Sequence, residues 1–429
     1  MASQNSPLNL LMVFFISTSH FIRSHCADDA THRYDSIFSF GDSLADTGNL
    51  LRIQSGGSSA IARLPYGETY FGRPTGRFSD GRLVIDFIAD AFGLPYLPPY
   101  VSSSSNEDFR KGANFAVGGV TALDDGYFEQ RGLGGMIVTN CSLNAQLRWF
   151  DELKPSLCKG TQECRDYFGR SLFLLGEIGG NDYNVPLMSG LSVDAVRGYV
   201  PDVVRTISSA AERLIEIGAV EMVVPGIIPL GCAPVYMTRY SSTDKKDYEP
   251  ETGCLKGLND LTKHHDTLLQ DALGKLRNKY PHVKIIFADY YGASIRFYQS
   301  PRQFGFNDPL KACCGGHGPY NVNGSVFCGS PDSILCSDPS EYVNWDGIHL
   351  TEAAYHTIAD GLIKGPYSTP PLMSPQLSQT HRGSCPHSII IYDSGDSSSA
   401  KDILPTRWEL SSWEVRYQTS LSASGTVGL

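Results

Sequence analysis

A serine closes the segment that begins with the apolar run Ser36–Phe40 and continues Gly41-Asp42-Ser43. A strand ending there would present the Ser43 hydroxyl at one edge of a sheet. A hydroxyl nucleophile needs a base, and the base needs a group that fixes its tautomer. Far downstream stands Asp346-Gly347-Ile348-His349, an acid and an imidazole three apart, at the start of a helix. That spacing lets both face one side of a single turn. The chemistry open to such a set is acyl transfer, in which negative charge builds on a carbonyl oxygen and needs donors aimed at it. Two glycine-rich stretches offer donors. Gly179-Gly180-Asn181-Asp182 follows the apolar run Ser171–Leu175 and adds a side-chain amide, and Asn114-Phe115-Ala116-Val117-Gly118-Gly119 offers a second place for close backbone approach.

None of these signals is specific alone. A second Gly-Asp-Ser, Gly395-Asp396-Ser397, lies in a low-complexity stretch with no histidine after it. A second D-x-x-H, Asp29-Ala30-Thr31-His32, lies in polar sequence near the N-terminus. A serine in a Gly-Asp turn is commonly a turn residue, and Asn181 with its glycines also reads as turn punctuation. The run from Gly176 to Gly180 contains neither GxGxxG nor a P-loop, so it is not read as a nucleotide site.

The elements around these residues alternate between strand-like and helical patterns. Apolar runs at 36–40, 171–175, 220–224 and 283–288 read as strands. Between them, 193–217 and 255–280 carry apolar residues at helical spacing, and a last helix spans 351–363, with Thr351 as its cap and Gly365-Pro366 as its stop. Strands separated by helices imply parallel β-α-β units, hence an α/β fold, a three-layer α/β/α sandwich around a central parallel sheet. Ligands in such sheets bind outside the carboxyl ends of the strands, where Ser43 and Asn181 both fall.

Composition narrows the class. The chain has 429 residues, 41% hydrophobic and 19% charged, with a net charge of −10. No Lys/Arg cluster would serve a nucleic acid or an anionic membrane. The apolar segment 8–16, followed by small and polar residues, reads as an export signal over 1–27, although no Lys or Arg precedes it. No later stretch approaches the ~20 apolar residues of a membrane span. The destination expected is outside the cell, in the wall or in the vacuole.

The eleven cysteines suit an oxidising compartment. Cys141, Cys158, Cys164, Cys232, Cys254, Cys313, Cys314, Cys328 and Cys336 read mostly as disulfide partners whose connectivity stays open. Adjacent Cys313-Cys314 lack the CxxC spacing of structural zinc, so neither metal nor cofactor is expected. Asn140-Cys141-Ser142 and Asn323-Gly324-Ser325 are candidate glycosylation sites at Asn140 and Asn323. From about residue 367 the sequence loses periodicity. We therefore expect one folded domain over 34–366 and a weakly ordered tail over 367–429.

Taken together, the blocks resemble the GDSL, or SGNH, hydrolase family in its plant branch. The four blocks that supply Ser, Gly, Asn and His occur in order: Phe38 to Asn49, Gly112 to Gly119, Gly179 to Asp182, and Asp346 to Thr351. Further segments of the same branch are Pro74-Thr75-Gly76-Arg77-Phe78-Ser79-Asp80-Gly81-Arg82, 224–232 and 313–316. The resemblance spans 34–365. It implies a flavodoxin-like fold and hydrolysis of small-molecule carboxylic esters. By the same resemblance Ser43 is the nucleophile, His349 the base and Asp346 its orienting acid. The oxyanion donors would be the backbone N–H groups of Ser43 and Gly119, with Gly118 adjacent, and the Asn181 amide. An acyltransferase using the same acyl-enzyme, or a silent binding protein on the same scaffold, are the alternatives. Pro65-Tyr66-Gly67 and 94–100 are candidates for lining an apolar pocket, with simple loop packing the expectation for either one.

Overall fold

The computed structural model describes residues 33–54, 59–101 and 107–373. The signal segment, the second Gly-Asp-Ser, Asp29-Ala30-Thr31-His32 and residues 374–429 lie outside them.

Among the described residues eight strands form two sheets: β1 (Ser36–Phe40), β2 (Gly112–Asn114), β3 (Ser171–Leu175), β4 (Glu221–Pro225), β5 (Lys284–Ala288), β6 (Cys314–Gly315), β7 (Ile334–Leu335) and β8 (Ser368–Thr369). The main sheet has the order β2-β1-β3-β4-β5-β8. Its first five strands are parallel and β8 is antiparallel to β5. The order 2-1-3-4-5 is that of flavodoxin-like folds, whose switch point falls between β1 and β3.

Strand periodicity decides the layers. Phe38, Phe40, Phe173, Leu175, Met222, Val224, Ile285 and Phe287 point to one face, where they meet the helices Leu143–Leu157, Val200–Ile217 and Lys256–Lys279. Ile37, Leu172, Leu174, Val223, Ile286 and Ala288 point to the other, against Val84–Ala91, Tyr290–Gln299 and Glu352–Ile363. Both faces of a parallel sheet are thereby covered, which explains the near-continuous apolar strands. The three-layer α/β/α sandwich expected from the sequence is the fold observed.

Three details differ from the sequence reading. The stretch 193–217 is two helices, Val193–Arg197 and Val200–Ile217, parted at Gly198 and Tyr199. Pro201 lacks an N–H to extend the first helix, so it opens the second instead. Residues just past 366 also belong to the folded domain: β8 completes the sheet edge, and Asp289 N–H donates to the Tyr367 carbonyl at 2.8 Å. Leu372 is buried, and its carbonyl accepts from Arg33 at 2.8 Å. The ordered unit therefore reaches at least Met373. Finally, Cys141 is a free, buried thiol, while four disulfides join Cys158–Cys164, Cys232–Cys254, Cys313–Cys336 and Cys314–Cys328. Burial holds the Cys141 proton on.

Phe150 knits the first layer together. It is fully buried, with ring centroids 5.3 Å from Phe38 and Phe168 and 5.7 Å from Phe173. Phe150→Ala should cost about 3–5 kcal/mol of unfolding free energy in a denaturant titration, because the cavity cannot collapse among rigid rings. A loss below about 1 kcal/mol would contradict this packing.

Candidate active site

Beyond β1 the chain turns at Gly41, whose φ of +148° only glycine adopts freely; a Cβ there would meet the Glu177 carbonyl at 2.8 Å. The side chain of Gln146, fully buried, clamps that peptide from both sides. The Gly41 N–H donates to Gln146 Oε1 at 2.9 Å and Gln146 Nε2 donates to the Gly41 carbonyl at 2.8 Å. Asp42 N–H then bonds the Glu177 carbonyl at 2.9 Å, extending the β1–β3 pairing into the loops. Ser43 follows at the sheet rim.

Ser43 Oγ lies 2.8 Å from His349 Nε2, and His349 Nδ1 lies 2.8 Å from Asp346 Oδ2. The acid and the imidazole sit on the loop before the helix Glu352–Ile363 rather than within its first turn. Asp346 Oδ1 accepts the N–H groups of Ile348 and His349, both at 2.8 Å, so the carboxylate caps its own turn. Its other oxygen also accepts the Tyr66 hydroxyl at 2.9 Å. Burial alone would raise the Asp346 carboxyl, but the His349 imidazole and these N–H bonds outweigh it and hold the group below its ordinary range. Phe78 covers the imidazole face, 4.6 Å between ring centres.

The donor side is built by two other segments. Asp46 gathers the N–H groups of Gly48 (2.7 Å), Asn49 (2.6 Å), Leu50 (3.0 Å) and Gly118 (2.9 Å), tying the first block to the second. That bond occupies the Gly118 N–H. Gly119, at φ +79°, has an N–H with no acceptor among the described residues. Asn181 stands in the first turn of the helix Gly180–Met188. Its Nδ2 donates to the Val120 carbonyl at 2.9 Å and more distantly to Asp42 Oδ2 at 3.4 Å, while its Oδ1 accepts from Asn184 Nδ2 at 3.0 Å. Asp182 accepts the N–H groups of Ala122 and Leu123, fixing the glycine loop against this helix.

Ser43, His349, Gly119 and Asn181 all line one cavity of about 330 Å³. Its wall is apolar: Leu44, Leu50, Phe78, Val185, Ile228 and Ile348, with Met136 and Val138 at an exposed rim. The segments 65–67 and 94–100 do not line it. Tyr66 serves the site differently, through Asp346. No group of three or more metal-ligating side chains occurs among the described residues. The arrangement can deprotonate a hydroxyl and receive an oxyanion. Gln146 and Asp46 were not assigned a role from sequence, and Tyr66 was read only as part of a loop segment. Asp46 had a local signal, three residues after Ser43 in a turn-forming run, whereas Tyr66 reaches Asp346 across 280 residues of chain.

A flavodoxin-like sheet with a serine, an imidazole and a carboxylate at its β1/β3 switch point defines the class of SGNH-type hydrolases. The profile of the GDSL-like Lipase/Acylhydrolase family matches residues 37–362, and the chain belongs to that family, a family of carboxylic ester hydrolases. It is similar to a GDSL esterase/lipase of Arabidopsis thaliana, 51% identical over 79% of this chain and 93% of the relative. It is also similar to the sinapine esterase of Brassica napus, 46% identical over 86% and 95%. Among solved structures it aligns with phospholipase A1 from Streptomyces albidoflavus NA297, at 12% identity and a TM-score of 0.33, covering 76% of this chain and 96% of that one.

Two outcomes follow from the site's bonding. Tyr66→Phe removes one hydrogen bond from a buried carboxylate, a loss of about 1.5–3 kcal/mol. It should lower kcat about tenfold or more with KM little changed, and unchanged kcat would show that the bond does not orient the acid.

Stability should also respond to pH. Burial raises Asp182 to about 7 and Asp266 to about 8, only partly offset by the N–H bonds each accepts. Such a group binds its proton more tightly folded than unfolded. It therefore favours the fold below about pH 4, and that advantage is lost as pH rises through 7 to 8. Thermal unfolding should shift downward between pH 5 and pH 8.5. Asp266→Asn, which keeps an oxygen for the Ile227 N–H, should flatten the shift. An unfolding temperature that rises over this interval contradicts the reading.

Proposed function

We propose that this chain is an exported serine ester hydrolase working through Ser43, His349 and Asp346. With Nδ1–H donated to Asp346, His349 Nε2 takes the Ser43 proton as Oγ attacks the ester carbonyl. The backbone N–H groups of Ser43 and Gly119 and the Asn181 amide receive the oxyanion. His349 then returns the proton to the departing alcohol, and water, activated by the same imidazole, releases the acid. Gly119 rather than Gly118 supplies the N–H, because that of Gly118 is held by Asp46 at 2.9 Å.

The single observation that carries this reading is the 2.8 Å contact between Ser43 Oγ and His349 Nε2 with Asp346 at the far nitrogen. Four disulfides support export, and with it a signal over 1–27, since such bonds persist in oxidising compartments. Asn140 and Asn323 are both exposed, as glycan acceptors must be.

Ser43→Ala should cut turnover of a simple acetyl or butanoyl ester by roughly 10⁴-fold or more while the melting transition stays in place. Wild-type rates in this variant end the proposal. A competing alcohol in the same assay decides between free acid and transferred ester as the product. Failure of a neutral alkyl phosphonate to modify the protein would point instead to the silent scaffold.

A further inference from the structure

The cavity floor carries two carboxyls that the acyl-transfer steps do not use. Asp42 and Glu177 are 2% and 3% exposed, and both line the cavity beside Ser43 and His349. Asp42 Oδ1 accepts the Leu44 N–H at 3.0 Å. Glu177 Oε2, also buried, has no hydrogen-bond partner among the described residues. More buried carboxyls stand behind them in Asp46, Asp182 and Asp266. Among the described residues no lysine or arginine lines the cavity. Arg77, beside the wall residue Phe78, is turned away by two bonds to Asp86 at 2.6 and 2.8 Å. His349 is the one lining side chain that can carry positive charge, and Asp346 already holds it.

An anionic group entering this space would leave water for an apolar wall and find no cation to pair with. The N–H groups within reach are those needed for the oxyanion. It would also face two buried carboxyls, Asp42 and Glu177, both raised chiefly by burial, with repulsion from Asp42 adding to the rise at Glu177. A cation meets the opposite field.

We propose that the Asp42–Glu177 floor and the cation-free wall make this site selective by charge sign: it takes esters whose acyl part is neutral, tolerates a cationic one and rejects a carboxylate-bearing one. This rests on Ser43 being the nucleophile. Like-charge juxtaposition in a desolvated site is costly enough for a discrimination of about 100-fold.

The test uses p-nitrophenyl esters of matched length: pentanoate, the glutarate monoester and 4-(trimethylammonio)butanoate. In kcat/KM, pentanoate should exceed the glutarate monoester about 100-fold, and the cationic ester should exceed it at least about tenfold. Met136→Lys places a cation on the exposed rim without touching the fold, and should recover about tenfold of the glutarate rate relative to pentanoate. Asp42→Asn with Glu177→Gln should narrow the anion-to-cation ratio further. Equal rates for the anionic and cationic esters overturn the inference while leaving the hydrolase reading intact. No turnover of pentanoate, together with no modification of Ser43 by a neutral alkyl phosphonate, overturns both.

Discussion

The pairing of β1 with β3 is the constraint on which the site depends. Their register continues past the strands, because Gly176 N–H bonds the Phe40 carbonyl and Asp42 N–H bonds the Glu177 carbonyl, each at 2.9 Å. Gly41 makes this continuation sterically possible, and Gln146 holds it. The serine is therefore placed by backbone bonds rather than by its own side chain. The helix carrying Asn181 begins three residues after Glu177, so the same ladder sets the amide. His349 comes from the opposite layer and needs separate anchors: Trp345 N–H to the His349 carbonyl at 2.8 Å, and Val235 N–H to the Gly347 carbonyl at 3.0 Å.

Buried carboxylates take two different roles around this ladder. Asp46 and Asp182 are fasteners: Asp46 joins its own turn to the Gly118 N–H, Asp182 takes the N–H groups of Ala122 and Leu123, and each is nonetheless raised because burial exceeds what neutral donors return. Asp346 receives comparable N–H bonds but also faces an imidazole, and its balance falls the other way. The difference is one ionisable neighbour. A carboxylate that remains charged beside His349 can stabilise an imidazolium, which a fastener's proton-holding carboxyl would do poorly.

Legibility from sequence followed the range of the interaction. Strands 36–40 and 171–175 and the helix Lys256–Lys279 have periodicities that local sequence displays. Residue type and spacing made Ser43, Asp346 and His349 candidates, and the ordered blocks of the family resemblance tied them to one another. The resemblance put the glycine donor on Gly119 with Gly118 adjacent; the bond that occupies the Gly118 N–H, from Asp46 across 72 residues, could not be read locally. β8 is two residues long and has no period to read. The break at Gly198 hides inside a continuous apolar stripe, because the two helices share one buried side. Tyr66 looked like loop packing, and only the folded chain brings its hydroxyl to Asp346.

In the oxyanion role proposed for it, the amide of Asn181 would keep the site's reorganisation small. Its carbonyl end is fixed by Asn184, whose own Oδ1 accepts the Tyr236 hydroxyl, and one N–H direction is fixed by Val120. The remaining direction ends on Asp42 Oδ2 at 3.4 Å, a long contact that gives up little when an oxyanion competes for it. The donor is thus oriented before substrate arrives yet not consumed by a strong internal bond. That combination is what electrostatic preorganisation requires: the dipole's orientation is set during folding, and little is left to rearrange when charge develops.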